Sequence, residues 1–235
     1  MGIIKDLKSK LIVSCQPVVG GALDNENSIL NIAKAAVDGG AAALRINDKK
    51  NVYNIKKRLK VPIIGIKKRE LKGSNIIITP LEEDVIGLAE SGSDIIAFDA
   101  TNRSRPIEIS TLIDLIHKKN CLAMADCSNY DEAVNASILG ADIVASTLSG
   151  YVSKKVPKFP DYRMISQFYN SKIKTPIIAE GRINTPDQAK KAINKGAHAV
   201  VVGTAINRIE IITSWFVKGV QRLSLIHISE PTRPY

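Results

Sequence analysis

Polar residues stand at one recurring place in this sequence, at the end of short apolar runs. They are Gln16, Arg45, Lys68, Asp99, Asp126, Thr147, Glu180 and the Gly203-Thr204 pair. A lysine acts as a general base only when burial or a nearby positive charge, such as that of Arg45, lowers its pKa toward neutral. Carboxylates orient such a lysine, relay protons or hold hydroxyl groups. If these side chains converge, a lysine, an arginine and three carboxylates favour a functional site.

Each of these residues also has a purely structural interpretation. Gln16 and Thr147 would then satisfy neighbouring backbone groups, and three of the charged residues would form a buried ion-pair layer. That layer would comprise Arg45, Asp99 and Asp126. The carboxylates have the ligand chemistry for magnesium, but the neighbouring lysine and arginine would compete for them. No histidine or cysteine spacing typical of zinc ligands is present, so we expect no metal site.

The apolar runs alternate with longer amphipathic segments, which predicts repeated βα units and a parallel sheet. The predicted strands are 11–16, 42–46, 62–68, 95–100, 122–126, 143–147, 176–181 and 199–204. The predicted helices are 29–39, 51–59, 81–92, 107–119, 129–139, 162–170, 186–195 and 209–221. In a chain of 235 residues, this eightfold alternation favours one closed (β/α)8 TIM barrel, an α/β fold.

A barrel of this type places its active site at the carboxyl ends of the strands, which brings the polar residues to one rim. Its loops after the seventh and eighth strands commonly bind phosphate through backbone N–H groups. Gly181 and Arg182 follow the seventh predicted strand, and Gly203 lies at the end of the eighth. Arg208 begins the last helix and can add a charge-assisted contact. These four residues form the predicted phosphate site.

The formal net charge of +10 raises a nucleic-acid partner as an alternative. However, the basic residues are scattered, and the longest clusters, 56–58 and 67–69, hold three residues each. Aromatic residues make up only 5%, which leaves few platforms for stacking bases. We therefore interpret the charge as a solvated surface that attracts an anionic substrate, and we expect no nucleic-acid partner.

Cysteine usage and hydropathy predict the cellular compartment in which the protein is located. The three cysteines have no CxxC spacing and are typical of reduced thiols in the cytosol. No apolar stretch approaches 18 residues, so we expect a cytoplasmic protein with no membrane partner. Residues 223–235 add no ninth unit and resemble a translated sequencing adapter. The prediction is a barrel domain over residues 1–222 and a non-native-looking or disordered tail over 223–235.

Six blocks carry a family resemblance over most of the chain, at 11–17, 62–70, 99–106, 123–128, 147–150 and 179–186. They resemble the signature blocks of bacterial N-acetylmannosamine-6-phosphate 2-epimerases. The resemblance implies interconversion of N-acetylmannosamine 6-phosphate and N-acetylglucosamine 6-phosphate in amino-sugar and sialic acid catabolism, without a cofactor. Other phosphosugar isomerase or decarboxylase barrels, and a non-catalytic phosphosugar-binding protein, stay as alternatives. A homodimer is an open alternative to a monomer.

The resemblance also implies roles for individual residues. The family's catalytic lysine, in a Gly-Ile-x-Lys-Arg block, falls on Lys68, and its paired glutamate, in an Ala-Glu-Gly-Arg block, falls on Glu180. The implied substrate-binding positions are Gln16, Arg45, Asp126 and Arg208, to which Thr147 is added as a strand-end residue, with Gly181, Arg182 and Gly203 around the phosphate. Lys67 stands where an apolar residue is expected. Alternation along the strand predicts that Lys68 enters the mouth and Lys67 faces the helices.

Overall fold

A computed structural model describes residues 2–152 and 156–228 of the chain, and its eight parallel strands close into a barrel in sequence order. The strands are β1 (Leu11–Ser14), β2 (Ala43–Asn47), β3 (Ile63–Ile66), β4 (Ile95–Asp99), β5 (Leu122–Asp126), β6 (Ile143–Ala145), β7 (Ile177–Glu180) and β8 (Ala199–Val202). The helices are α1 (Ile3–Asp6), α2 (Glu26–Asp38), α3 (Lys49–Lys56), α4 (Glu82–Glu90), α5 (Ile109–Lys118), α6 (Tyr130–Ile138), α7 (Tyr162–Asn170), α8 (Pro186–Asn194), α9 (Thr204–Asn207) and α10 (Ile209–Ile228). The predicted (β/α)8 barrel is confirmed.

Every predicted strand is found, although most are shorter than predicted. The largest difference that bears on the site is in β3, which ends at Ile66 rather than at residue 68. Beyond Ile66 the chain turns back on itself, and Lys68 forms an antiparallel bridge with Ile78 instead of continuing beside β4. β2 ends one residue later than predicted, at Asn47. Two short helices, α1 and α9, were not predicted.

Alternate residues of each strand face two different cores, as the period of a β-strand requires. One core fills the barrel interior with mostly small or branched side chains, among them Ala43, Ile64, Ala97 and Met124. The other core lies between the sheet and the helices and contains the intervening residues, such as Leu44 and Phe98. The polar strand-end residues follow the interior parity, so they project into the barrel mouth.

The two ends of the chain differ in how they pack against the barrel. Near the first residues, Leu7 is buried in the interior core and the His198 ring Nε2 lies 2.7 Å from the Ile4 carbonyl oxygen, so α1 closes the amino end of the barrel. At the other terminus, α10 continues to Ile228, so its predicted end at residue 221 is wrong. No proline or glycine stands between residues 222 and 228 to end the helix earlier. The rest of the predicted tail, 229–235, lies outside the described residues.

Among the described residues, no helix combines the length with the apolar composition that crossing a bilayer requires.

Candidate active site

A cavity of about 570 Å³ opens at the carboxyl ends of the strands. Eight of the ten predicted site residues line it, namely Gln16, Lys68, Thr147, Glu180, Gly181, Arg182, Gly203 and Arg208. The other two, Arg45 and Asp126, are almost completely buried behind the cavity wall. The strand-end rule therefore brings the predicted residues to one place, in two layers.

The buried layer is an ion-pair network centred on Arg45. Its Nη2 lies 2.5 Å from Asp126 Oδ2, and its Nη1 donates to Asp126 Oδ1 at 3.1 Å and to Glu180 Oε2 at 3.0 Å. The Thr147 hydroxyl bridges the same carboxylates, 2.6 Å from Asp126 Oδ1 and 3.2 Å from Glu180 Oε2. Buried charges require such pairing, because one left unpaired is strongly destabilising, although the buried Nε of Arg45 itself has no hydrogen-bond partner among the described residues. The network fixes where the Glu180 carboxylate stands.

Glu180 connects the buried layer to the cavity. Both of the bonds from Arg45 and Thr147 fall on Oε2, so neither occupies Oε1. Burial raises the pKa of Glu180, against the opposing charge of Arg45 and with a further rise from Asp126. The Ser146 side chain also clamps the Glu180 backbone, accepting from its N–H at 3.1 Å and donating to its carbonyl at 3.0 Å. A carboxylate held this firmly with a raised pKa is suited to exchanging a proton.

Lys68 reaches the same cavity from the other side of the mouth. Loss of hydration lowers its pKa to about 8, and the positive charge of Arg45 contributes to the same direction while Glu180 opposes it. The Lys68 backbone N–H donates to Asn47 Oδ1 at 2.9 Å, which ties it to the end of β2. A lysine with a pKa near 8 is partly uncharged at neutral pH and can accept a proton from carbon.

Lys67 points the other way, as strand alternation predicts. Its ammonium lies 2.5 Å from Asp48 Oδ2, at the first turn of α3, outside the barrel. The neighbouring Arg69 pairs with Glu83 at 2.6 Å and also with Asp84, at the start of α4. Of the basic cluster 67–69, only Lys68 lines the catalytic cavity. The other two cations are engaged by carboxylates, which weakens the case for this cluster as a nucleic-acid contact.

Asp99 does not join the site, although the sequence places it on the same rim. Its carboxylate accepts from the Thr101 hydroxyl at 2.7 Å and the Thr101 N–H at 3.0 Å, and it pairs with Arg103 at 2.6 Å. The Asp99 N–H donates to the Ile78 carbonyl at 3.0 Å, and Ile78 lies between it and the cavity as part of the interior core. Of the three carboxylates predicted to converge, Asp99 is therefore wrong. The buried ion-pair layer, suggested as Arg45, Asp99 and Asp126, consists instead of Arg45, Asp126 and Glu180.

The loop after β7 has a backbone that only a few residue types adopt readily. Gly181 has φ +106° and Arg182 has φ +59°, both in the left-handed region. The Arg182 guanidinium donates to the carbonyls of Ser149 and, at 2.8 Å, of Phe159. It also lies 5.3 Å from the Tyr151 ring centroid. The side chain of Arg182 thus ties the loop after β7 to the loop after β6, with its guanidinium already bonded to two protein carbonyls.

The loop after β8 packs directly on β1. A Cβ atom on Gly203 would lie 3.3 Å from the Ser14 Cβ, closer than ordinary van der Waals contact, so a side chain there would require Ser14 to shift slightly. Arg208 Nε donates to the Gln16 carbonyl at 3.0 Å, and the Gln16 side-chain amide donates to the Ser14 hydroxyl at 2.7 Å. Asn207, which is buried, donates to the Ser14 carbonyl at 2.7 Å. These bonds hold Arg208 at the cavity edge, where its charge also lowers the pKa of Lys68.

Several lining residues were not predicted from the sequence. The apolar part of the wall comes from loops and from α10, and includes Ile77, Ile78, Leu148, Tyr151, Ile183 and Trp215. No periodic pattern marks loop residues as facing a site. Asn47, which holds the Lys68 backbone, was within reach of the strand-end rule, because β2 ends on it rather than on Ile46.

Within residues 2–152 and 156–228, no three His, Cys, Asp or Glu residues are arranged to hold a metal ion. The expectation that no metal or cofactor takes part stays a prediction.

Fold and site together define a class of protein. A (β/α)8 barrel that holds a lysine of lowered pKa and a buried glutamate in one cavity is built for proton transfer, and cationic groups at the edge favour an anionic small molecule. The chain belongs to the N-acetylmannosamine-6-phosphate epimerase family: the model described as "Putative N-acetylmannosamine-6-phosphate epimerase" matches residues 29–222. The family resemblance seen in the sequence is thereby confirmed, and so is the assignment as a carbohydrate epimerase.

Individual relatives agree with this assignment. A protein of Photobacterium profundum designated "Putative N-acetylmannosamine-6-phosphate 2-epimerase" is 46% identical over 93% of this chain and 92% of its own length. One of Vibrio vulnificus with the same designation is 47% identical over 92% and 95%. The solved structure of the N-acetylmannosamine-6-phosphate 2-epimerase from Clostridium perfringens superposes with a TM-score of 0.89 and 40% identity, covering 93% of this chain and 96% of that one.

Proposed function

We propose that this protein interconverts N-acetylmannosamine 6-phosphate and N-acetylglucosamine 6-phosphate by removing the proton from C2 and returning it to the opposite face. The observation that carries the proposal is that Lys68, whose pKa is lowered to about 8, and Glu180 line the same cavity. Relatives at 46–47% identity carry the name of that activity. No other phosphosugar reaction is favoured by a specific feature of the site.

The proposed reaction begins with the open-chain sugar, because the ring form has no carbonyl beside C2. Neutral Lys68 accepts the C2 proton, and the electron pair of the C–H bond moves toward C1 so that the aldehyde oxygen becomes an enolate oxygen. Positive charge and N–H donors stabilise that oxygen. The C2 carbon of the enolate is planar, so it accepts a proton on either face. Return of a proton on the other face completes the epimerisation with no net change in protons.

Glu180 is proposed to relay that proton and to orient the Lys68 ammonium. Its Oε2 is held by Arg45 and Thr147, and Oε1 is the oxygen that we assign to the exchange. Its raised pKa brings it closer to that of the base with which it exchanges a proton. Gln16 is proposed to contact the sugar from the cavity wall. Arg45 and Asp126 are buried behind that wall, so a direct contact with the substrate would require the wall to open. Without such a contact, both residues still contribute by holding Glu180 in place.

The phosphate is proposed to bind between the loops after β7 and β8. Gly181, Arg182, Gly203 and Arg208 all line the cavity, and we assign the phosphate contacts of the first three to their backbone N–H groups. Arg208 is the charged contact, since the Arg182 side chain is already bound to two carbonyls. A phosphate bound to Arg208 would offset the positive charge by which that arginine lowers the Lys68 pKa.

The remaining proposals concern the whole chain. We place the catalytic barrel domain in residues 1–222, which is supported by the family match that extends to residue 222. A cytoplasmic location is consistent with three buried free cysteines. A homodimer is supported by exposed apolar side chains on α10, where Phe216 is 72% and Val220 68% exposed. Light scattering of the purified protein, with and without residues 223–235, tests both the assembly and the boundary.

Proton NMR in D2O tests the proposed reaction directly. Purified protein is incubated with N-acetylmannosamine 6-phosphate, and the expected result is loss of the C2 proton signal together with signals of the gluco epimer deuterated at C2. The Lys68→Ala variant under the same conditions is the control for a contaminating enzyme. Binding of the sugar with no exchange at C2 would overturn the proposal in favour of a phosphosugar-binding protein.

A further inference from the structure

The segment that carries Lys68 is a hairpin rather than an extension of β3. Lys68 bridges Ile78 in antiparallel fashion, and the Arg69 N–H donates to the Ile77 carbonyl at 3.1 Å. The base of the hairpin is the pair of Lys67 and Thr79, where the Thr79 N–H donates to the Lys67 carbonyl at 2.7 Å. The position of Lys68 therefore depends on how this base is fixed to the barrel.

Thr79 fixes the base with its hydroxyl, in addition to the bonds from the Asp99 N–H to the Ile78 carbonyl and from the Lys68 N–H to Asn47 farther along the hairpin. The hydroxyl donates to the Ala97 carbonyl of β4 at 2.6 Å and accepts from the Lys67 N–H at 3.2 Å. Thr79 is completely buried, so no water replaces these bonds if the hydroxyl is lost. One oxygen thus links the barrel wall to the residue directly before Lys68.

The backbone of Thr79 supplies a second, independent observation. Its φ is +46°, in the left-handed region, which is unusual for a β-branched residue. Such a conformation persists only where the surroundings impose it. Glycine would adopt it more readily, yet glycine has no hydroxyl to join the two chain segments. Thr79 therefore combines a strained backbone with the hydroxyl that joins the two chain segments.

We propose that Thr79 is a positioning residue for the proton transfer, and that its hydroxyl sets the place at which Lys68 enters the cavity by holding the Lys67 backbone against β4. The inference rests on the proposed function of Lys68 as the base. Thr79 does not touch the cavity, so its effect reaches the reaction only through the lysine. This separates it from Gln16 and Glu180, which line the cavity.

The test compares Thr79→Val, which keeps the shape and removes the hydroxyl, with Thr79→Ser, which keeps the hydroxyl. Ser91→Ala is the matched control, because Ser91 donates to the Gly87 carbonyl at the opposite end of the barrel. We expect Thr79→Val to lower kcat for C2 exchange about 10- to 100-fold with little change in KM, since small misplacements of a reacting group have effects of this size. Thr79→Ser restores kcat, and Ser91→Ala behaves as wild type.

The pKa of Lys68 gives a readout that a purely structural role would not move. NMR titration of lysine side chains, with Lys68→Ala for assignment, should place the wild-type pKa near 8. In Thr79→Val it should rise toward the ordinary lysine value, because Lys68 regains hydration and moves away from Arg45. The rise of kcat with pH, which follows loss of the Lys68 proton, should move to higher pH in parallel.

Thr79→Gly keeps the test decisive if Thr79→Val folds poorly. Glycine relieves the backbone strain while still removing the hydroxyl, so it should show the same loss of kcat and the same pKa shift. An unchanged Lys68 pKa and unchanged kcat per folded molecule in the folded variants would overturn the positioning role. If the wild-type protein itself shows no C2 exchange, it is the proposed function that fails, and the pKa titration still reports whether Thr79 positions Lys68.

Discussion

Asp99 and Asp126 end neighbouring strands, are directly paired in the barrel register and are both fully buried, yet they belong to different parts of the mouth. Asp126 holds Arg45 and Thr147, which hold Glu180 at the cavity. Asp99 holds Thr101 and a partly exposed arginine, and contributes nothing to the cavity wall. The comparison therefore sets an open half of the mouth, from β6 through β8 to β1 with Asp126 buried behind it, against a covered half, around β3 and β4.

The difference between the halves comes from the loops. The chain between β3 and α4 runs from residue 67 to 81 and folds back as a hairpin, whereas only residues 127 to 129 separate β5 from α6. The hairpin places Ile78 over the end of β4 and projects Lys68 toward the open half. A strand-end position thus brings a residue to the rim, and the surrounding loops, here the hairpin after the neighbouring strand, decide whether it reaches the cavity.

The largest effect is expected at Lys68, the proposed base, which lies on the hairpin of the covered half and projects into the cavity of the open half. Lys68→Ala should lower kcat about 10²- to 10⁴-fold, the usual contribution of a general base, while the barrel stays folded. Isotope exchange at C2 measures the loss, and thermal melting confirms the fold. Exchange at the wild-type rate in a folded variant would show that another group is the base.

The second effect compares the two aspartates. Asp126→Asn breaks a buried ion pair, so we expect a loss of about 3–5 kcal/mol in the free energy of unfolding. It should also reduce activity per folded molecule about 100-fold, because Glu180 loses its fixed place. Asp99→Asn should cost less stability, since Arg103 can turn to water, and should leave activity per folded molecule close to wild type.

Melting curves and active-site-normalised rates measure the two aspartate variants together. Equal losses of activity would mean that the covered half contributes to the reaction as directly as the open half. The distinction between the halves would then be wrong.

The third effect tests the cation at the edge of the open half. Arg208→Ala should weaken binding of the 6-phosphate by about 10- to 150-fold, which corresponds to a charge-assisted contact of about 1.5–3 kcal/mol. Calorimetric titration with phosphorylated and unphosphorylated sugar measures it, and the variant should discriminate less between the two ligands. Undiminished affinity for the 6-phosphate would place the phosphate elsewhere in the cavity.

The sequence predicts the open half better than the covered half. Strand periodicity and polar strand ends are local patterns, and they place Glu180, Thr147 and Gln16 on one cavity. Whether Asp99 lines the cavity depends on a hairpin that no alternation of apolar and polar residues reveals. The one local signal is the turn at Gly73, whose φ of +82° suits glycine. The bridge between Leu71 and Ser74 flanks that turn. The predicted strand 62–68 therefore includes residues 67 and 68, which in the structure begin the hairpin.

The two layers of the open half were also beyond the sequence. Arg45 and Glu180 both have interior parity, but Arg45 lies two residues before the end of β2 and is 1% exposed, whereas Glu180 ends β7 and its side chain is 13% exposed. Depth in a barrel depends on strand stagger, which brings residues from different strands to different heights. Because stagger is a property of the closed sheet, no single strand contains the information.

The smallest effect is expected at Lys67, and it tests the register on which the whole comparison depends. Lys67 pairs with Asp48, and both side chains are about 30% exposed, 31% and 29%. Exposed ion pairs contribute about 0–1 kcal/mol, so Lys67→Ala should leave kcat close to wild type and lower the melting temperature slightly. The contrast with Lys68→Ala is then at least about 100-fold between adjacent residues of the same type. The opposite result, an inactive Lys67→Ala beside an active Lys68→Ala, would mean that the chain after β3 is shifted by one residue. Such a shift reverses the direction of every side chain between Ile66 and Ile78, because alternate residues face opposite sides. It would turn Ile78 away from Asp99 and remove the cover from that half of the mouth.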